Sequence, residues 1–261
     1  MMKINKKLGV TIVVFAAVFF YGIFHYYSLP SRVEAISRYL AVQDEQGSPY
    51  LYSVKIGGVA LATALLKVNK SQEQGIVEAV VDVVPWRAIQ WLSGHRAGIR
   101  LSSKIKADSG LPISFEQQSF SRIKKGKAGR EIQYSHENLT MQRRSYVDDI
   151  YPDTRDPLSL LVWSMRQKYA DGAFFKSSLN IEDRPWLVIL KSSLWDPKKD
   201  PAIFKIDALF IETNEAYQLK GRYPCEIYMR STEHESVPLI IRFDLIKFFL
   251  SFDIERHPRL L

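Results

Sequence analysis

Residues 156–172 read DPLSLLVWSMRQKYADG and form the clearest helical segment in a chain that otherwise alternates in the manner of β strands. Asp156 is typical of a helix cap, and Pro157 suits the first helical position. Apolar residues then recur at helical spacing. They are Leu158, Leu161, Val162, Met165 and Tyr169. We expect this stripe to cover a sheet, with Leu158 and Leu161 as core anchors and an end near Gly172.

Strand-like runs lie on both sides of this helix. Those before it are 50–56, 59–68, 75–84, 98–106, 113–121, 130–137 and 139–147. Those after it are 175–181, 186–194, 203–211, 226–231, 239–243 and 248–254. Most connections have hairpin length, which favours antiparallel pairing, and an antiparallel sheet protects its edges by rolling or closing. We therefore predict one mainly β domain over residues 50–261, an antiparallel β roll or barrel-like sheet of about a dozen strands with one covering amphipathic helix.

The N-terminus carries a second, different signal. Residues 8–27 (LGVTIVVFAAVFFYGIFHYY) contain no formal charge, and a helix of that length spans about 30 Å, the thickness of a bilayer core. This run is longer than the apolar part of a cleaved signal peptide and ends in bulky Phe24–Tyr27. The predicted order is a tail over 1–7, a single transmembrane signal-anchor over 8–27, and a short helix and linker over 28–49. A cleaved signal is the alternative.

Charge around the anchor predicts its orientation. Lys3, Lys6 and Lys7 precede the span, and cytoplasmic flanks are enriched in such residues. We expect a single-pass protein of the bacterial inner membrane whose C-terminal domain lies in the periplasm. The whole chain has 36 basic and 28 acidic residues, a formal charge of +8, so three of those charges belong to the topology signal.

Composition and motifs argue against several functional classes. Hydrophobic residues make up 46% of the chain, too many for a disordered protein, and the single cysteine cannot form an internal disulfide. Neither a nucleophile elbow nor a phosphate-binding glycine loop is present. The acidic cluster before the helix matches no EF-hand calcium loop; it consists of Asp148, Asp149, Asp153 and Asp156. Cys225 has no base that the sequence can place beside it, and a buried structural thiol is the simpler interpretation. We predict a non-enzymatic protein without metal or cofactor.

One basic stretch is a candidate polyanion patch. Its members are Arg122, Lys124, Lys125, Lys127 and Arg130. Clustered basic side chains can bind phosphates, but the same charges suit a solvated hairpin tip, and nucleic acid is not an expected partner outside the cytoplasm. The five tryptophans also have two interpretations: they line a ligand cavity, or they pack in the core.

The segment Asp156-Pro-Leu-Ser-Leu-Leu161, followed by Arg166, resembles the bacterial exported family called domain of unknown function 3108. Four further segments look similar in order, namely Tyr52–Gly58, Val77–Ala79, Leu111–Phe115 and Val237–Ile241. The resemblance covers roughly residues 50–255, and it implies an exported, antiparallel β-rich domain of the cell envelope. It implies no catalytic residues. The uncleaved anchor departs from the family, in which a cleaved signal is more usual.

Two functions follow from this combination of fold and location. A curved sheet with one helix can enclose an apolar cavity, which favours a membrane-anchored envelope protein that binds an apolar or lipid-like ligand. The alternative is a structural or assembly partner that binds other envelope proteins through a sheet edge or the basic hairpin.

Overall fold

The computed structural model describes residues 50–56, 59–85, 98–120, 128–181, 184–196, 200–213, 219–232, 235–246 and 250–256. The described residues belong to one compact unit, Ser48–Leu261. The predicted tail, anchor and linker over residues 1–49 lie outside the described residues. Within the described part, no helix has the length and apolar character needed to cross a membrane.

The described part of the chain is mainly β, as predicted. Eight strands precede the helical region, β1 (Tyr50–Ile56), β2 (Val59–Lys70), β3 (Ile76–Pro85), β4 (Gly98–Lys106), β5 (Pro112–Phe120), β6 (Ala128–Ser135), β7 (Thr140–Arg143) and β8 (Tyr146–Asp149). The short strand β9 (Thr154–Arg155) leads into the helix α1 (Pro157–Met165). Six longer strands follow, β10 (Phe174–Ile181), β11 (Arg184–Asp196), β12 (Asp200–Thr213), β13 (Leu219–Ser231), β14 (Ser236–Ile246) and β15 (Leu250–Arg256).

The strands form two meandering halves that share one order, β8-β7-β6-β5-β4-β3-β2-β1-β15-β14-β13-β12-β11-β10-β9. Neighbours pair antiparallel throughout, except that β9 and β10 are parallel. The halves meet where β1 pairs with β15, with Val54 opposite Ile254. Each strand therefore pairs with its sequence neighbours, with two exceptions: β1 pairs with the last strand, β15, and the consecutive strands β8 and β9 lie at the two margins.

The sheet must curve, because its two margins are consecutive in the chain. Fifteen strands side by side would extend over about 70 Å if flat, whereas the four residues between β8 and β9 bridge less than about 20 Å. Asn180 Nδ2 of β10 lies 3.3 Å from Met141 Sδ of β7, so the strands one place inside each margin are in contact. Among the described residues β8 does not pair with β9, and the sheet is an open roll and not a closed barrel. The chain leaves β9 after two residues to begin the helix.

Most predicted elements have somewhat different bounds in the structure, and two of the differences change the path of the chain. The predicted strand 139–147 is a hairpin, because Arg144 takes a positive φ of 51° and reverses the chain between β7 and β8. The predicted helix end near Gly172 is wrong, since α1 stops at Met165 with Arg166 as its C-cap. The chain then turns back to the sheet, where Gly172 N donates to Ser192 O at 2.9 Å.

Helix α1 lies inside the roll and is buried on more than one side. It contacts β3 and β4 of one half and β10 and β14 of the other. Leu158 and Val162 pack with Ala79, Ile105, Phe115 and Ile132 in one cluster. Leu160 and Met165 pack with Leu190, Ile206 and Met229 in the second. A single stripe is therefore the wrong description of this helix: Leu160, outside the predicted stripe, is buried, whereas the predicted anchor Leu161 is only half-buried.

A glycine closes the turn that supports the helix. Gly110 has a φ of +68°, and a Cβ there would lie 3.5 Å from Trp163 Cβ, an ordinary contact distance. Gly75 has a similar φ of +79° with nothing within 4 Å. Because the strain lies in the backbone, we expect Gly110→Ala and Gly75→Ala to lower the free energy of unfolding by the same amount, about 1–2 kcal/mol. Urea unfolding measures both, and a much larger loss at Gly110 would show that Trp163 allows no extra atom.

Candidate ligand-binding interior

The inward face of the roll is fully packed beside the helix. Pairing places Ala79, Ser103, Phe115 and Ile132 side by side on β3 to β6. All four are at most 6% exposed, because Leu158 and Val162 of α1 cover them. The strand ends farthest from the helix are those at Ile56, Pro85 and Gly98. We call this end of the roll the mouth.

Exposure of inward-facing side chains rises from the helix toward the mouth. The next row on the same strands contains Val81, Leu101, Gln117 and Arg130, all half-buried. One row further, Ile99 is 41% exposed although it belongs to the same inward series. The described residues therefore fill the interior at the helix end and leave apolar side chains accessible at the mouth.

The opposite half of the roll shows the same gradient. On β12 and β13 the inward residues Phe204, Met229 and Ile206 are buried. Ala208 and Cys225 follow, each 3% exposed. Nearer the mouth Phe210 is half-buried, and Tyr223, which pairs with it, is 49% exposed. In both halves of the sheet, therefore, the accessible apolar surface of the inward face lies at the mouth.

Four side chains and one glycine form what we call the mouth cluster, consisting of Arg184, Trp186, Glu212, Gly221 and Tyr223. Trp186 pairs with Glu212 across β11 and β12, and Glu212 pairs with Gly221 across β12 and β13. The Tyr223 ring lies over Gly221, where a Cβ would come within 2.8 Å of Tyr223 Cε2. The Trp186 and Tyr223 ring centroids are 5.4 Å apart.

Glu212 lies between the strands that carry these two rings and is only 8% exposed. Arg184 Nη1 donates to Glu212 Oε1 at 2.9 Å, while 63% of the Arg184 side chain stays exposed. The Trp186 Nε1 donor is buried, and among the described residues it has no acceptor. Buried indole N–H groups usually have an acceptor, so Trp186 Nε1 is available to donate a hydrogen bond to a ligand.

A second polar group lies deep beside the helix N-terminus, where Asp156 is completely buried. Its carboxylate accepts hydrogen bonds from Leu158 N at 2.7 Å, Ser159 N at 2.9 Å and Ser103 Oγ at 2.6 Å. Burial raises the pKa of Asp156 to about 6, and these three donors oppose the increase. Asp156 therefore caps the helix and ties it to β4, and every contact it makes has a structural role.

Arg155 fixes the start of the helix to its surroundings. Its guanidinium lies 4.7 Å from the Trp163 ring centroid and donates to Ser177 Oγ at 2.8 Å and to Asp153 O at 2.9 Å. Burial lowers the pKa of Arg155, and the charge of Asp153 opposes that decrease. Asp153 accepts in turn from Ser178 N and Oγ on β10. The acidic residue of the β8–β9 turn thus holds the margin of the roll.

The structure describes only some of the residues that the sequence singled out. Arg122, Lys124, Lys125 and Lys127 of the candidate polyanion patch lie outside the described residues, and Arg130 belongs to β6 on the inward face. Among the described residues no group of three or more His, Cys, Asp or Glu side chains could hold a metal. Trp163 packs against the core, Trp186 faces the mouth, and Trp195, 48% exposed, packs against Tyr228.

Sequence reasoning identified Asp156 as the helix cap but missed its partner Ser103 and the buried Glu212. A usable signal existed, because the alternating series Ile99, Leu101, Ser103 and Ile105 carries one serine among apolar residues. The series Phe204 to Phe210 likewise continues to the charged Glu212. A polar residue at an inward position of an apolar series indicates a buried polar partner.

Comparison of the chain with protein-family models, curated proteins and solved structures finds no match.

Proposed function

We propose that the chain is a membrane-anchored, non-catalytic protein of the cell envelope that binds an apolar or lipid-like ligand at the mouth of the roll. One observation carries the proposal: inward-facing Ile99 and Tyr223 are 41% and 49% exposed, whereas inward residues beside the helix are buried. Apolar surface gains roughly 25 cal/mol for each Å² removed from water. A ligand with an apolar chain would recover this free energy at the mouth.

The proposed location supports the same ligand class. An anchor over residues 8–27 would hold the domain beside the bilayer, which is the source of lipid-like molecules. Curved β folds commonly bind such ligands between their inward-facing side chains. The proposal assigns no reaction to the protein, and the deep carboxyl group of Asp156 already serves the helix.

A photo-crosslinking experiment in cells tests this function. Ile99 faces the mouth, whereas Val84 lies in the outward series of β3 and has nearly the same exposure, 39% against 41%. With p-benzoylphenylalanine at position 99 of the full chain, we expect lipid adducts, detected by mass spectrometry, at about five times the yield from position 84. Equal yields, or no lipid adduct at position 99, would reject ligand binding at the mouth.

The assembly alternative has its own structural support. Strand β8 pairs on one side with β7, all four of its residues are exposed, and Tyr146 and Val147 are 64% and 63% exposed. An open strand edge with exposed apolar residues can accept a strand from another protein. The same photo-reactive residue at position 147 discriminates the two functions, because assembly predicts a protein adduct there in place of a lipid adduct at position 99.

A further inference from the structure

The charges of the mouth cluster limit which head group a ligand can carry. Arg184 and Glu212 form an ion pair at 2.9 Å, so the cluster is neutral overall but has its two charges at separate points. A purely anionic head group near Arg184 would be repelled by Glu212, and a purely cationic one near Glu212 would be repelled by Arg184. A head group with one charge of each sign can complement both.

The positive part of such a head group would have two kinds of partner. Trp186 and Tyr223 lie on the two strands that flank Glu212, with their ring centroids 5.4 Å apart. A cation is attracted to the faces of such rings, most strongly to indole. Glu212 accepts from Arg184 at Oε1, and among the described residues nothing else donates to its carboxylate. An ammonium group beside the rings can therefore approach the remaining oxygen.

The negative part would meet donors that are still available. The Arg184 guanidinium uses one N–H on Glu212 and is otherwise largely exposed. A guanidinium binds phosphate oxygens through paired N–H groups. The buried Nε1 of Trp186 supplies another donor, and it has no acceptor among the described residues.

Gly221 makes the arrangement possible. A Cβ at this position would approach Tyr223 Cε2 at 2.8 Å and Oη at 2.9 Å, so the Tyr223 ring occupies the space that a side chain at position 221 would need. The ring is thereby held toward Trp186 and still presents an exposed surface to the mouth. Any larger residue at position 221 would displace this wall of the cluster.

We propose that the mouth cluster binds the zwitterionic head of a phospholipid, with the ammonium group against Glu212 and the two rings and the phosphate on Arg184 and Trp186 Nε1. This inference rests on the proposed function, because the acyl chains would lie on the apolar residues of the mouth. It goes beyond that function by selecting phosphoethanolamine or phosphocholine lipids over anionic and uncharged ones.

The test uses the full chain in nanodiscs and three photo-reactive, clickable lipids with the same diazirine acyl chain. The three lipids are a phosphatidylethanolamine, a phosphatidylglycerol and a diacylglycerol. We expect labelling by phosphatidylethanolamine to exceed labelling by either of the others by about fivefold. Soluble O-phosphoethanolamine at millimolar concentration should not displace the lipid, and displacement would overturn the placement of the acyl chains on the apolar residues of the mouth.

Two variants assign the charges. Glu212→Gln should lower phosphatidylethanolamine labelling about fivefold and leave phosphatidylglycerol labelling unchanged or higher. Arg184→Gln should lower labelling by both phospholipids. Asp207→Asn is the matched control, because Asp207 lies on the same strand, is exposed and belongs to the outward series. It should leave all three lipids unchanged.

The outcomes separate this inference from the function on which it rests. If all three lipids label the mouth equally and neither variant changes the ratio, the head-group inference is overturned and apolar ligand binding stands. Preference for phosphatidylglycerol also overturns it, in favour of an anionic ligand. If none of the lipids labels the mouth residues, both proposals fail together. Circular dichroism of each variant checks that the sheet has formed.

Discussion

Replacement of Asp156 by alanine should lower the free energy of unfolding by about 2–5 kcal/mol, more than the loss of an exposed helix cap. A typical cap contributes about 0.5–2 kcal/mol. Here the carboxylate is fully buried and also accepts from Ser103 Oγ. The alanine variant leaves that hydroxyl and two backbone N–H groups without a partner, and each buried unpaired group costs about 1–3 kcal/mol. Urea unfolding followed by tryptophan fluorescence measures the change.

Two substitutions make this result specific. Asp156→Asn keeps an oxygen acceptor for Leu158 N and Ser159 N and can donate to Ser103 Oγ, so it should cost about 1 kcal/mol or less at neutral pH. Asp148→Ala removes an exposed carboxylate from strand β8 and should change stability by less than about 0.5 kcal/mol. A loss for Asp156→Ala no larger than for Asp148→Ala would contradict the cap and its link to β4.

Asp156 should also make the stability of the wild-type protein decrease as the pH rises, which is opposite to the usual effect of a carboxyl group. Burial raises the pKa of Asp156 to about 6, from an ordinary value of 3.8. Between these values the folded state binds more protons than the unfolded state, so stability from this group decreases as the pH rises through the window and is lowest above pH 6. The difference between these two pKa values corresponds to about 3 kcal/mol in the free energy of unfolding.

The asparagine variant isolates this dependence, because it keeps the cap but does not titrate. The free energy of unfolding of the wild type minus that of Asp156→Asn should fall by about 2–3 kcal/mol between pH 4 and pH 7. Other titrating groups, such as His136, whose pKa burial lowers, are present in both proteins and cancel in the difference. A difference that stays constant across this range would show that Asp156 titrates like an exposed carboxylate.

Local patterns in the sequence predicted much of this fold. Alternation located most strands, and Asp156 and Pro157 marked the start of the helix, where the structure has its cap and first residue. Both signals depend on neighbouring residues alone. The end of the helix did not follow from them, because Tyr169 continues the apolar stripe but packs from an irregular segment, with its hydroxyl bonded to Ser164 O.

The candidate site depends on pairing that the sequence does not display. Arg184, Glu212 and Tyr223 come from three strands, and their proximity follows from the register of β11 with β12 and of β12 with β13. A shift of one residue would turn Glu212 to the outward face. Alternation could identify Glu212 as a charge in an apolar series, but its partners required the register.

The pairing of β1 with β15 has a consequence for synthesis and folding. Tyr52 of the first strand lies opposite Arg256 of the last, a separation of about 200 residues. Contacts of such long range are costly in chain entropy and slow to form. During translation β1 can pair with β2 as soon as that hairpin has emerged. The other edge of β1 stays unpaired until β15, the last strand, has been synthesised. A chain truncated before β15 would keep that edge open, and this is the place where a partly made protein is most exposed to aggregation and to chaperones.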